Sequence, residues 1–379
     1  MKEAYLDNSA TTQVCPQAAA KVLELMTEKY GNPSSLHAKG LEAERELTAA
    51  REAVAGVIGA LPREITFTSG GTEANNLALF GAAQARRRMG NKIVTTAMEH
   101  ASVLAAAAEL EKQGFEVAYI KPGPDGRVIA EQLLEAVDDS TILISVMAVN
   151  NEVGTIQPVE AARQAIKAKK APALLHVDAV QAFGKLPMKA TRMGVDLMTM
   201  SAHKIHGPKG VGALYIARGV RILPRAFGGG QENGLRPGTE AVPLIAGFGA
   251  AVGALPDLRE QYEAVRALRD YCVQRLLPLE GVAINSPEDS LPYLLNFSVE
   301  GIRSETMLHH LAARGVYVSS GSACAKGKQS HVLEAMGLPH RRIVSAIRVS
   351  FSRFSTKEEV DALVDGVALG LQTLARARA

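Results

Sequence analysis

From about residue 64 to residue 216 the chain alternates short, β-rich apolar runs with helix-length stretches. Strands are expected at 64–68 (EITFT), 92–96 (KIVTT), 115–120 (FEVAYI), 141–149 (TILISVMAV), 173–177 (ALLHV), 196–200 (DLMTM) and 211–216 (VGALYI). Several of these runs are continuously apolar, the pattern of strands covered on both faces. Helices are expected between many of them, as at 72–88 and 101–113. Such alternation predicts an α/β fold with a mostly parallel sheet and helices on both of its faces. After about residue 255 the pattern changes. A charged helix at 257–277 leads to sparser strands at 294–299, 316–319 and 347–351, with helices at 305–314 and 356–375. The expected division is a large domain, 16–255, and a smaller α+β domain built from 1–15 and 256–379.

Composition narrows the function classes. Of 379 residues, 47% are hydrophobic and 21% charged, with Lys+Arg 42 against Asp+Glu 39. A net charge of +3 without a block of like charge gives no track for a nucleic-acid backbone, and the LARARA tail is too short to change that. The apolar runs are strand-length or interrupted, so no membrane span is expected. The first residues, MKEAYLDNSATT, lack the apolar core of a secretory signal. Cys15, Cys272 and Cys324 are odd in number and far apart. A disulfide framework is therefore not expected, and a reducing cytoplasm is the natural compartment.

Three constellations carry chemistry. In ITFTSGGTEANN a strand runs through Ser69, Gly70, Gly71 and Thr72 into a helix opened by Glu73. The free N–H groups of such a helix start can hold a phosphate, although the same pattern serves as a plain turn. In LLHVDAVQAFGK, Asp178 ends a buried strand and Gln181 follows. A carboxylate there lies where open α/β sheets place ligands, and it reads equally as a helix N-cap. In SAHKIHGPKG, Ser201, His203, Lys204, His206 and Lys209 share a polar connection between two apolar strands. A lysine in that setting can act as an amine nucleophile or belong to a solvated basic loop. The spacing of His203 and His206 raises the question of a metal, but no third ligand stands beside them and no zinc site is expected. Together a phosphate-binding helix start, an acid at a strand end and a downstream lysine are what pyridoxal 5'-phosphate needs. The acid keeps the pyridine nitrogen protonated and the lysine supplies the amine that holds the aldehyde.

Motifs along nearly the whole chain extend this reading: YLDNSATT, NPSSLHAKG, TFTSGGTEANN, AMEHAS, VNNEVGTIQP, HVDAVQAFGK, SAHKIHGPKGVGALY, GGGQENGLRPGTE, SSGSAC and IRVSFSRFST. In these the sequence resembles the NifS/IscS-like cysteine desulfurases of the class V aminotransferase family. The resemblance implies a fold-type I transferase, a homodimer with a large cofactor domain and a small domain made from both chain ends. It implies that Lys204 carries the cofactor, Asp178 pairs with the pyridinium nitrogen and Gln181 bonds the phenolic oxygen. His100 would stack on the ring and is a candidate for proton transfer. Gly71, Thr72, Ser201 and His203 would hold the phosphate, Asn151 would line the site, and Thr239 would reach the phosphate in the partner subunit. Arg348 would clamp the substrate carboxylate, a role that suits a bidentate guanidinium. Read alone, His100 is also a helix-cap or core histidine and Arg348 also a surface salt bridge.

The implied reaction takes sulfur from L-cysteine and leaves L-alanine, with Lys204 moving the Cα proton. Cys324 would attack the substrate's sulfur, become a persulfide and pass the sulfur to an acceptor protein. Its setting, SSGSACAKGKQSH, fits a travelling thiolate: Gly and Ser around it, and Lys326, Lys328 and His331 as local positive charge. SSGSAC matches the long-loop group of the family, and AKGKQ is shorter and more basic than in its best-known members. That leaves the acceptor open between iron–sulfur assembly and tRNA or cofactor thiolation. Cys15 and Cys272 are expected to be structural. Selenocysteine lyase and a class V aminotransferase are the neighbouring enzymatic readings, and aminotransfer would not need Cys324. A non-catalytic protein that kept the fold is the reading from another class.

Overall fold

The computed structural model describes residues 3–320 and 329–375. Cys324, Lys326, Lys328 and the end of the LARARA tail lie outside the described residues. The chain starts with a two-residue strand, β1 (Ala4–Tyr5), followed by helices α1 (Pro16–Thr27) and α2 (Ala38–Ile58). The strand–helix alternation begins only after them. Seven strands then form one sheet: β2 (Ile65–Thr68), β3 (Lys92–Thr96), β4 (Glu116–Ile120), β5 (Thr141–Met147), β6 (Leu174–Asp178), β7 (Leu197–Ser201) and β8 (Gly212–Ile216). Their order is β2-β8-β7-β6-β5-β3-β4. All neighbours are parallel except β8, which runs against both β2 and β7. The reason is the connection after β7, the short SAHKIHGPKG segment. It is too short for a crossover helix, so the chain must return antiparallel.

β5, β6 and β7 are buried at every position, because both faces of the sheet are covered. Helices α3 (Gly71–Arg86) and α4 (Ala101–Lys112) share one apolar cluster with Leu174, Leu197 and Leu214. The alternate residues Leu175, Val177, Met198, Met200, Ala213 and Tyr215 face the other and larger cluster. Helix Val242–Gly253 packs there against α1 and α2.

Beyond the large sheet, strands β9 (Val282–Ile284), β10 (Leu294–Val299) and β12 (Ala346–Ser350) form an antiparallel sheet in the order β12-β10-β9. Strand β11 (Val316–Tyr317) pairs in parallel with β1. Two isolated bridges tie these pieces together, Asp7 to Ser350 and Ser319 to Arg348. The charged stretch after residue 255 is the helix Leu258–Leu276, started by Asp257, whose carboxylate accepts from the N–H groups of Arg259 and Glu260. Helix Lys357–Thr373 begins with a Thr356/Glu359 capping box.

Because only β8 runs against the rest, the carboxyl ends of β2, β3, β5, β6 and β7 lie along one edge. That edge is where an open α/β sheet presents polar side chains to a ligand. One buried ion pair braces it from the side. The Glu232 carboxylate, in a turn where its own φ is +48°, accepts both terminal nitrogens of Arg51 at 2.8 and 2.7 Å and the N–H of Phe67 at 3.0 Å. Removing Glu232 leaves the part-buried Arg51 guanidinium and the Phe67 N–H without their acceptor. Glu232→Ala is expected to lose about 3–5 kcal/mol in urea unfolding. A loss below about 1 kcal/mol, the range of exposed pairs, would show that the clamp is dispensable.

Candidate active site

A cavity of about 490 Å³ opens on that edge, a size suited to a cofactor or small ligand. Gly71, Thr72, His100, Asn151, Asp178, Gln181, Ser201, His203, Lys204 and Arg348 all line it. Residues from six separate stretches of sequence thus meet at one place. Thr239 does not line it and lies exposed. Cys324 lies outside the described residues, while Gln329 and His331, which follow it, face the cavity.

Lys204 ends a 3-10 turn, Ala202–Lys204, directly after β7. Its amine donates to the backbone carbonyls of Ser9 at 2.6 Å and Ala10 at 2.7 Å. Asp178 is the last residue of β6. Its Oδ1 accepts the N–H of Val180 at 3.0 Å, and its Oδ2 accepts Asn75 Nδ2 at 2.8 Å. No helix begins there, so Asp178 closes a turn instead of capping a helix.

His100 combines its two readings. It is the N-cap of α4, where its Nδ1 accepts the N–H of Ser102 at 3.2 Å. Burial lowers its pKa, which favours the neutral ring. With Nδ1 accepting, the proton of the neutral ring sits on Nε2. His203 and His206 diverge. His203 faces the cavity, and its Nδ1 lies 3.2 Å from Thr11 Oγ1. His206 turns to the Gln13 carbonyl at 2.9 Å and packs edge-on to Phe354. Burial pushes both rings down to about 4. Among the described residues no group of three metal-ligating side chains occurs.

Arg348 is neither exposed nor on the surface, so the surface salt-bridge reading is corrected. It is 3% exposed on β12, with Nη2 at 2.8 Å from Asp7 Oδ1 and Nη1 donating to the Asn151 carbonyl at 3.1 Å. Its Nε is buried without a partner.

Whether the cavity fits pyridoxal phosphate can be asked of its unpaired polar atoms. Ser9 Oγ, Asn75 Oδ1, Ser201 Oγ and Arg348 Nε are all buried without a hydrogen-bond partner, and all four residues line the cavity. Each such atom costs about 1–3 kcal/mol unless a ligand satisfies it. At the start of α3, Gly70 has φ +156° and ψ −178°, a conformation that glycine tolerates. A Cβ on Gly71 would come within 2.8 Å of Val180 Cγ2. Two glycines thus bring the N–H groups of a 16-residue helix to the cavity beside the Ser201 hydroxyl. An anion-binding helix start, an acid at a strand end and an amine between them fit the cofactor.

The comparisons agree with this geometry. Residues 4–363 match the aminotransferase class-V family. The chain belongs to that family. The cysteine desulfurase IscS of Methanosarcina thermophila is 42% identical over 377 residues, spanning 98% of this chain and 93% of its own. The putative cysteine desulfurase IscS 1 of Bacillus subtilis (strain 168) is 42% identical over 378 residues, 97% of this chain and 98% of its own. A solved NifS-like protein superposes with a TM-score of 0.93 at 42% identity, covering 98% of this chain and all of that one. A structure described as SspA in complex with cysteine gives a TM-score of 0.83 at 34% identity, over 94% of this chain and 100% of that chain. The fold is the fold-type I architecture of pyridoxal phosphate enzymes, and members of the class V family use that cofactor.

Several residues of this class V site escaped the sequence reading. Asn75 donates to both Asp178 and Ser102. Glu152 is buried and accepts Ser330 Oγ at 2.5 Å, and burial raises its pKa. Glu99 is wholly buried beside His100. Its Oε1 accepts Thr96 Oγ1 at 2.8 Å and the Met147 N–H at 2.9 Å. The motifs AMEH and VNNEVGT contain these acids, but their spacing carries no sign of burial.

Burial raises the Glu99 carboxyl from its usual 4.5 to about 8. A carboxyl with a raised folded pKa holds its proton more tightly folded than unfolded. Its contribution is therefore greatest below the unfolded value and is lost as pH rises through about 4.5 to 8. Glu99→Gln can keep both hydrogen bonds to the side-chain oxygen while removing the titration. Denaturant unfolding across this range is expected to show a shallower fall with pH for the variant than for the parent. Identical pH slopes would contradict a protonated Glu99.

Proposed function

We propose that this chain is a pyridoxal 5'-phosphate-dependent cysteine desulfurase, which converts L-cysteine to L-alanine and takes up the sulfur on Cys324. The observation that carries this reading is the convergence of Lys204, Asp178, the start of α3 and Arg348 on one cavity. The similarity to proteins named cysteine desulfurase, and to a structure described as a complex with cysteine, supports the substrate. When bound, the cofactor supplies an electron sink for the substrate's Cα.

The chain's own residues divide the remaining work. Lys204 would hold the cofactor through its amine and remove the Cα proton. Asp178 would pair with the pyridine nitrogen, Gln181 would face the phenolic oxygen and His100 would lie against the ring. Gly71, Thr72, Ser201 and His203 would hold the phosphate. Arg348 offers its unpartnered Nε to the substrate carboxylate, with Asp7 and the Asn151 carbonyl fixing the guanidinium. The Cys324 thiolate would then attack the substrate's sulfur. An S–S bond forms, the Cβ–S bond breaks with its electron pair left on carbon, and a proton at Cβ together with return of the Cα proton from Lys204 completes alanine. The carbon is reduced and the sulfur oxidised, so no outside oxidant is required. The product on the enzyme is a persulfide, which a sulfur-acceptor protein would receive.

Two structural readings accompany this role. The residues 16–255 would act as the cofactor domain, with 1–15 and 256–379 as the smaller one, which the separate sheets support. A homodimer would explain why Thr239 lies exposed outside its own cavity, there to reach the partner subunit's phosphate. The exposed Leu23, Met26, Tyr30, Leu36 and Phe227 support it. A cytoplasmic setting accords with the unpaired, buried Cys15 and Cys272. No single helix among the described residues is long and apolar enough to cross a membrane.

Loading with pyridoxal phosphate and adding L-cysteine tests the reading. The loaded protein is expected to be yellow and to release alanine. Lys204→Ala should lose the yellow band and slow alanine formation by about 10²–10⁴-fold or more. Cys324→Ala should keep the band and lose alanine formation. Full activity in Cys324→Ala would exclude the persulfide route and favour selenocysteine lyase-type cleavage.

A further inference from the structure

Below the cofactor cavity lies a buried cation that the mechanism above does not use. Lys185 is 7% exposed and makes no ion pair among the described residues. Its amine lies over the Tyr293 ring, 5.4 Å from the centroid, and donates to Gln181 Oε1 at 3.4 Å. Burying an ammonium without a carboxylate is costly, and burial lowers its pKa to about 7. Protonated or neutral, it still has hydrogens to donate.

The contact has a local origin. After Asp178 the chain makes helical turns, with the N–H of Phe183 on the Ala179 carbonyl and that of Leu186 on the Ala182 carbonyl. Gln181 and Lys185, four apart, therefore share a face. An amide is polar at both ends, and only its oxygen can accept from Lys185. Its nitrogen is then left to the other side, where Gln181 Nε2 donates to the Ser9 carbonyl at 3.0 Å. Lys204 donates to that same carbonyl. A flipped amide would set donor against donor at a protonated Lys185 and, whatever the charge on that lysine, oxygen against oxygen at Ser9. Lys185 thus donates to Gln181 and Gln181 to the Ser9 carbonyl, where that run of hydrogen bonds meets the opposing donation from the reactive amine of Lys204.

We propose that Lys185 is a positioning residue for the cofactor site: it fixes the Gln181 amide with its oxygen inward, so that the nitrogen faces Ser9 and the cavity. This rests on the cofactor role proposed for the cavity, and it assigns to Lys185 no contact with substrate.

The test uses the loaded protein and a spectroscopic readout. The absorbance maximum and its pH titration are recorded for the parent, Lys185→Met, Gln181→Leu and the double variant, with thermal melting as a check on folding. Lys185→Met is expected to move the titration midpoint in the same direction as Gln181→Leu and at least half as far. The double variant should match Gln181→Leu alone, because the effect of Lys185 passes through that amide. Lys185→Ala, which opens space instead of filling it, is read alongside so that a packing failure in one variant does not decide the matter. A parent-like midpoint in a folded Lys185 variant, or shifts that add in the double variant, would overturn the proposal. A parent that takes up no cofactor would instead overturn the functional reading beneath it.

Discussion

Lys204 is fixed by backbone from the other end of the chain: the carbonyls of Ser9 and Ala10 hold its amine at 2.6 and 2.7 Å. Much of the site depends on how the first dozen residues are threaded between the two sheets. The same short segment supplies Asp7 to Arg348, Thr12 Oγ1 to the N–H of His206 and Thr11 Oγ1 to His203. On its other side it is stitched to β12, with Asn8 Nδ2 and the Ser9 N–H bonded to Ser350. The N-terminal strap therefore sets the distance between the lysine on the large sheet and the arginine on the small one. A backbone carbonyl of a segment already ordered adds no side-chain rotamer to be frozen.

The cavity also concentrates groups whose hydrogen bonds are incomplete. Ser9 Oγ, Asn75 Oδ1, Ser201 Oγ and Arg348 Nε face the place where a phosphorylated aromatic cofactor and an amino-acid carboxylate would sit. A fold keeps such atoms buried at a cost, and a ligand that satisfies them returns stability by mass action. Around them burial lowers the pKa of His100, His203 and Lys185 and raises that of Glu99 and Glu152. These shifts all favour the uncharged form. The site thereby keeps formal charge to a few positions, among them the Arg348 pair with Asp7.

The fold and the polar ends of its strands were readable in advance. Asp178 and Ser201 follow largely apolar runs, LLHV and LMTM, which places them at the edge of a covered sheet without any structure. Lys204 sits in the polar connection that follows, which read alone is either an amine nucleophile or a basic loop, and the antiparallel course of β8 emerges only in the structure. His100 was ambiguous because capping and lining are both local roles, and it performs both. For Arg348, expected as a carboxylate clamp, the alternative of a surface salt bridge stays open in the sequence because its partner Asp7 lies 341 positions away. Glu99, Glu152, Asn75 and Lys185 were invisible for a related reason. Their meaning comes from which distant segments cover them, and spacing along the chain does not encode that. Assigning Cys324 rests on the motif that surrounds it and on the family.

The account turns on sulfur passing from substrate to one cysteine of this chain. The direct measurement is mass spectrometry of peptides from the loaded protein after brief exposure to L-cysteine, with alanine counted in the same sample. The account predicts the added mass of one sulfur atom on the peptide carrying Cys324, matched by alanine in the first turnover, and none on the peptides carrying Cys15 or Cys272. Alanine formed with no sulfur retained on Cys324 would contradict it.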